Sequence, residues 1–422
     1  MTEVNQEELK YLRLLAEQFD TVEALCTEIT RIGAEISLPK GTEHFMSDIH
    51  GEYEAFSHIV RNCSGVIREK VHLWLRDRLT QAEEDALCTL IYYPEEQLRR
   101  DHQQGTLTAE WYQKTADCML HLARMLSSKY TRSKIRRMMP PAWSFLLDEL
   151  MHYQDDGGGT ETEQVDNRRV YHNAILDTLI RTENIDELLV ALAELIRNLA
   201  VDRLHVVGDI FDRGPRADSI MDILMRHHAV DIEWGNHDVL WMGAASGSEC
   251  CIFGVLRNSL AHGNMDILER GYGIPLRELT LFAEKTYTTL PLDKAILQAI
   301  YMILFKLEGQ LVRRNPDFQM EDRMLLHLAD WENGKIEIDG LVWPLKHVPV
   351  PTLKKEDPYA LSEEEAKLTS SLRHAFTHSL RLHEHVEFLY QRGWMYRAYN
   401  GNLLFHGCVP LNEDGSFLEK SF

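Results

Sequence analysis

The feature that most constrains the fold is the stretch Leu204-His205-Val206-Val207-Gly208-Asp209-Ile210-Phe211-Asp212-Arg213-Gly214. Its short, mostly apolar start reads as a buried strand, and it runs without a spacer into two carboxylates, a guanidinium and two glycines. Residues 217–228 have helical spacing, residues 229–234 read as a second strand, and a helix is expected from about Val239. This alternation is α/β grammar, and it puts functional side chains at strand ends. Three further clusters share the form: Ser47-Asp48-Ile49-His50-Gly51, Gly235-Asn236-His237-Asp238 and Leu404-Phe405-His406-Gly407. Each follows an apolar run and holds or adjoins a small residue, which permits tight turns and close approach to a ligand.

Carboxylate, imidazole and amide oxygen together suit two borderline-to-hard divalent ions such as Mn, Fe or Zn. Asp48 and His50, two apart, share a face if their segment stays extended. Asp209, on the best-defined strand, is the natural bridging carboxylate. Two ions about 4 Å apart can activate a water and clamp a phosphoryl oxygen for in-line attack. Arg213 can offer a planar fork to phosphate. His237 cannot easily share an ion with the adjacent Asn236. It is free to protonate a leaving oxygen, with Asp212 to orient it. His406 has a rival in His262, also followed by glycine, but no clear strand precedes His262.

Elsewhere the chain reads as mostly helical. An amphipathic pattern covers residues 6–19 and is expected to continue to Ile29. Residues 66–153, 169–199, 275–330 and 362–391 have three- and four-residue apolar spacing, and Ser362 followed by Glu365 is a capping box. The run 155–163, with Gly157, Gly158 and Gly159, is the clearest loop candidate. Residues 331–358, rich in proline, read as an irregular excursion, and 402–405 as a short strand.

Asp+Glu number 66 against 45 Lys+Arg, a net charge of −21. That argues against a general nucleic-acid binder or an anionic-membrane binder. No run reaches the roughly 20 apolar residues of a membrane span, and the acidic N-terminus has no signal-peptide form, so a cytoplasmic location is expected. The seven cysteines are scattered without a CxxC, which points to reduced thiols, Cys250-Cys251 included. His374, His378, His383 and His385 read as a helix surface, and Arg132, Lys134, Arg136 and Arg137 as a solvated basic face.

The four clusters, in this order, resemble the calcineurin-like metallophosphoesterase superfamily. The Ser-Asp-Ile-His-Gly-Glu-Tyr-Glu-Ala-Phe wording and the long helical insertions are most similar to the class 3 fructose-1,6-bisphosphatases, a family of manganese-dependent gluconeogenic enzymes. The resemblance implies a two-sheet sandwich flanked by helices, with helical insertions at 66–200 and 245–395 in a single core spanning 1–422. It implies a sugar bisphosphate substrate, cleaved at its 1-phosphate, and two manganese ions, with a homo-oligomer left open. Residue by residue, it makes Asp48 and His50 ligands of the first ion, Asp209 the bridge, and Asn236 and His406 ligands of the second. Arg213 binds phosphate together with Asn236 and His237, His237 is the general acid, and Asp212 supports it.

The alternatives are a protein or nucleotide phosphatase on the same core, or an inactive fragment. About 150 residues between Gly51 and Gly208, and Asp238 where protein phosphatases usually carry glutamate, point away from a protein phosphatase. The superfamily completes its site with a further downstream histidine. None follows in the sixteen residues after His406, so a truncated chain is expected. With so acidic a protein, a doubly phosphorylated substrate must be held by metals and local cations such as Arg213.

Overall fold

A computed structural model describes residues 6–152, 163–345 and 350–419. The glycine run at 157–159, Pro349 and both chain ends lie outside the described residues. The chain divides into two units, Met1–His44 with Ile59–Arg203, and Phe45–His58 with Leu204–Phe422.

Apart from connecting loops and the strand residues Glu43, His44 and Arg203 at its edges, the first unit's described residues are helical. Its centre is the helix Ile185–Ala200, where Leu188, Leu192, Leu195 and Leu199 recur at three- and four-residue intervals and are completely buried. They pack among Ile67, Val71, Leu75, Met119, Leu120 and Leu122 in one continuous core. Two of the expected helices are each broken in two. Thr21 ends the first pattern early by accepting the Ala24 amide at 3.1 Å, which starts a new helix, Val22–Ile36. Glu183, at φ +57, separates Glu163–Arg181 from Ile185–Ala200. The unit's two chain crossings meet where the Asp202 amide donates to the Thr42 carbonyl at 2.8 Å.

The second unit is α/β. Strands β1 (Glu43–Met46), β2 (Arg203–Val207), β3 (Val230–Glu233) and β7 (Gly393–Trp394) form one sheet in that order. β2, β3 and β7 run parallel, with Leu204 opposite Val230 and Ile232 opposite Gly393. Pleating puts Leu204, Val206, Val230 and Ile232 on one face, where all are buried. The helix Leu380–Arg392 packs against β3 and β7, and the helix Ala217–Arg226 packs against that helix. The other face carries His205, Asp231 and Glu233, also buried.

The region read as an irregular excursion holds a three-stranded antiparallel sheet, β4 (Ala329–Asp330), β5 (Lys335–Ile338) and β6 (Leu341–Pro344). Its proline ends a strand rather than interrupting one. The helical pattern of 275–330 stops at Arg314, and Ser379 splits the last long helix by capping Leu380–Arg392. Lys306 and Glu365, both fully buried, join the helices Leu292–Arg314 and Glu363–His378 through a 2.7 Å ion pair. Leu292–Arg314 is, by length and composition, apolar enough to cross a membrane, although Gln298, Lys306 and Glu308 interrupt its apolar run. Its buried Ala299, Ile300, Ile303 and Leu307, and that internal ion pair, suit a core helix.

A hairpin of β8 (Tyr396–Tyr399) and β9 (Asn402–Phe405) closes the unit. Asn400 and Gly401 both take positive φ, the tight turn that such a two-residue loop requires. Its residues meet the polar face of the parallel sheet: Tyr399 lies 5.1 Å from His205, ring to ring, and Arg397 reaches Asp231 at 3.8 Å.

Candidate active site

All four sequence clusters lie in the second unit, and β1, β2, β3 and β9 each deliver one. The first two are stitched together by their backbones. Asp48 N donates to Gly208 O, His50 N to Asp209 O and Gly51 N to Ile210 O, while Gly214 N returns to His50 O, all within 3.1 Å. Gly51 sits against Gly214 so closely that a Cβ would strike the Gly214 carbonyl.

This stitching also corrects the expectation of an extended segment. Asp48 and His50 are at φ +54 and +46, and Asp209, Asp212 and Arg213 are left-handed as well. Non-glycine residues pay for that conformation, and it persists only where surrounding bonds over-determine it, typically at functional sites.

Asp209 is the centre. His406 Nε2 lies 3.3 Å and His50 Nε2 3.7 Å from its Oδ2, and His50 Nε2 lies 3.8 Å from Asp48 Oδ1. Asp48, Asp209 and His406 offer ligand atoms all within 4.8 Å of one another, so they form a group able to hold a metal ion. The two imidazoles are prepared in the same way. His50 Nδ1 donates to Phe211 O at 3.0 Å, and His406 Nδ1 to Val207 O at 2.9 Å. Each Nε2 therefore keeps its lone pair free, directed at Asp209. His50 Nε2 is buried with no hydrogen-bond partner, a cost that a coordinated cation would remove. The donor set thus fits a divalent ion. His406 can approach because residue 208 is glycine at φ +76, where a Cβ would lie 2.5 Å from the imidazole. His262, the rival, is an exposed residue at the end of the helix Glu249–Ala261.

His237 stands beside this group, its ring 5.3 Å from that of His50. Its Nδ1 donates to Asp212 Oδ2 at 2.6 Å, and that bond holds its pKa above the ordinary histidine value despite partial burial. Asn236 opens the helix Asn236–Ala245 and is exposed, as is Arg213. The basic run at 132–137 is partly committed to carboxylates, Lys134 to Asp202 and Arg136 to Asp148. His385, expected on a surface, is instead buried between Tyr272 and Asp222.

Sequence reasoning overlooked the residues that brace the loops. Asp238, read only as a departure from glutamate, is completely buried and accepts the amides of Asp209, Ile210, Phe211 and Gly235 at 2.8–3.3 Å. Burial pushes its carboxyl up to about 6 against the pull of those donors. Asn264 Nδ2 holds the carbonyls of Arg213 and Gly214. Trp241 and Asn258 both donate to Asp212. The signal for Asp238 was its place two residues after Asn236; Asn258 and Asn264 had none in local sequence.

A family model described as Firmicute fructose-1,6-bisphosphatase matches residues 10–422. Among curated proteins, the class 3 fructose-1,6-bisphosphatase of Clostridium acetobutylicum is 45% identical over 98% of this chain and 64% of its own length. Those of Listeria innocua and Phocaeicola vulgatus are each 43% identical, over 98% and 99% of this chain and 65% of their own lengths. The chain thus spans a little under two thirds of these relatives. No solved structure matches it. With the four clusters gathered on one unit and the match extending over nearly every residue, the chain belongs to the Firmicute fructose-1,6-bisphosphatase family.

Proposed function

We propose that this chain hydrolyses the 1-phosphate of fructose 1,6-bisphosphate, giving fructose 6-phosphate and phosphate in the gluconeogenic direction. The observation that carries the chemistry is the pair of imidazoles, each with Nδ1 tied to a carbonyl and Nε2 left toward Asp209. The names borne by the relatives support the sugar bisphosphate.

Asp48 and His50 would hold one ion and Asn236 and His406 a second, with Asp209 shared, and manganese is the ion proposed. Ions bound there supply Lewis-acid stabilisation of phosphoryl charge and a nucleophile competent at neutral pH. The chain's own residues do the rest. Arg213, exposed on its left-handed turn, presents a guanidinium to phosphoryl oxygens and offsets the repulsion of a chain with net charge −21. Asn236 and His237 flank the same phosphate. His237, whose protonated form the Asp212 bond favours, gives its Nε2 proton to the departing sugar oxygen and is left neutral.

The β8–β9 hairpin laid against His205 and Asp231 supports a two-layer sandwich as the core, with residues 66–200 as a helical insertion and 245–395 as a second, mostly helical one that ends in the core strand β7. A cytoplasmic enzyme acting on a soluble sugar phosphate fits this reading.

The test is phosphate release by the purified chain with manganese, using fructose 1,6-bisphosphate, fructose 6-phosphate, nucleotides and a phosphopeptide. Selective turnover of the bisphosphate is expected. Preference for the phosphopeptide or a nucleotide would overturn the substrate assignment, and no turnover of any of them would overturn the activity of this chain.

A further inference from the structure

Asp212 joins the motif loop to the imidazole, and it is 2% exposed. A buried carboxylate keeps one orientation when donors meet it on several sides. His237 Nδ1 and Asn258 Nδ2 both reach Oδ2, at 2.6 and 2.7 Å, and Trp241 Nε1 reaches Oδ1 at 2.8 Å. The direction of each bond is fixed by chemistry. An indole N–H can only donate. The Asn258 Oδ1 is engaged by Arg257, whose Nε and terminal nitrogen lie 3.2 and 3.0 Å away and can only donate. The amide nitrogen is therefore the end of Asn258 that faces Asp212. Trp241 is itself held between Phe211 and Tyr272, with ring centroids 4.9 and 5.4 Å away.

Asp212 can then only accept from His237. That forces the Nδ1–H form and leaves Nε2 as the nitrogen carrying the transferable proton. We infer that Trp241 and Asn258 are positioning residues for the proton donor: by fixing Asp212 they fix the tautomer and direction of His237. The inference rests on the general-acid role proposed for His237, and the experiment separates the two.

Trp241→Phe keeps the ring contacts and removes the N–H; Asn258→Ala removes the amide. Their turnover of fructose 1,6-bisphosphate is compared with that of p-nitrophenyl phosphate, whose leaving group departs without a proton. For each variant kcat on the sugar phosphate should fall about 10–100-fold, the range for groups that orient a reacting side chain, with KM unchanged. Turnover of the aryl phosphate should change less than about threefold, because general-acid catalysis adds little when the leaving group is good. His237→Ala is the reference. If it loses both substrates equally, the general-acid role falls and this inference with it. If it is selective while Trp241→Phe and Asn258→Ala are not, this inference alone falls. A second readout does not depend on turnover. The low-field proton resonance of His237 Nδ1–H, identified by its loss in His237→Ala, should move or broaden in both variants at unchanged thermal midpoint. An unmoved resonance in both overturns the positioning role.

Discussion

Glu233 offers a test of how the polar face of the parallel sheet is stabilised. The residue is fully buried, and neither carboxylate oxygen has a hydrogen-bond partner. Burial first, and then the neighbouring Asp231, push its carboxyl from 4.5 up to about 7, although His205 and Arg397 act the other way. In the unfolded chain the group titrates near its ordinary value. Between those two pH values the folded state binds the extra proton, so stability falls as pH rises through the window. The penalty is absent below about pH 4.5 and complete above about pH 7. A gap of this size corresponds to at most about 3 kcal/mol at 1.36 kcal/mol per unit.

Glu233→Gln preserves the shape and removes the charge. It should therefore leave stability nearly unchanged at pH 4.5–5 and raise it at pH 8. Thermal midpoints of the two proteins, recorded in parallel from pH 4.5 to 8.5, give the measurement. At about 2–4 °C per kcal/mol for a unit of this size, the variant should gain up to roughly 6–12 °C at pH 8. A constant offset between the two curves across the whole range, or a loss at pH 8, would show that Glu233 is ionised and compensated, and would refute the reasoning.

Three other outcomes follow from the geometry. Gly208→Ala should weaken manganese binding by about 10–100-fold in calorimetric titration, because the new methyl displaces the His406 ring. Asp212→Asn removes the bond that raises the His237 pKa, so the high-pH fall of kcat should move to lower pH. Replacing Lys306 by Met alone leaves Glu365 buried without its cation and should cost about 3–5 kcal/mol of stability, whereas Lys306→Met with Glu365→Leu should recover most of it.

What was legible in the sequence was whatever depended on a few neighbouring residues. Gly208-Asp209-x-x-Asp212-Arg213-Gly214 announced a strand end because its glycines and carboxylates have no other joint use after an apolar run. The Ser362–Glu365 capping box formed as read, with both of its bonds in place. β9 was found within its bounds for the same reason. What failed depended on partners far along the chain. β5 alternates between exposed and half-buried residues, and β6 is exposed throughout, so both resemble loop until their pairing is known. Asp48 and His50 looked extended because the carbonyls that bend them belong to residues 208 and 209. Asn258 and Asn264 are ordinary helix and loop residues until their contacts with Asp212, Arg213 and Gly214 are seen.

The bond between Asp202 and Thr42 has a kinetic side. Asp48 and Asp209 are far apart along the chain, and bringing two such points together in an open coil costs on the order of 4 kcal/mol in closure entropy. The first unit, whose central helix Ile185–Ala200 packs back among residues 67–122, already holds its entering and leaving strands 2.8 Å apart at that bond. Once it has folded, only a few residues on each side remain free between the crossing and the two motif loops. The helical unit is then a clasp. It absorbs most of the search before the two motif loops meet, so a lesion in its core should slow the appearance of the site more than it alters the finished geometry.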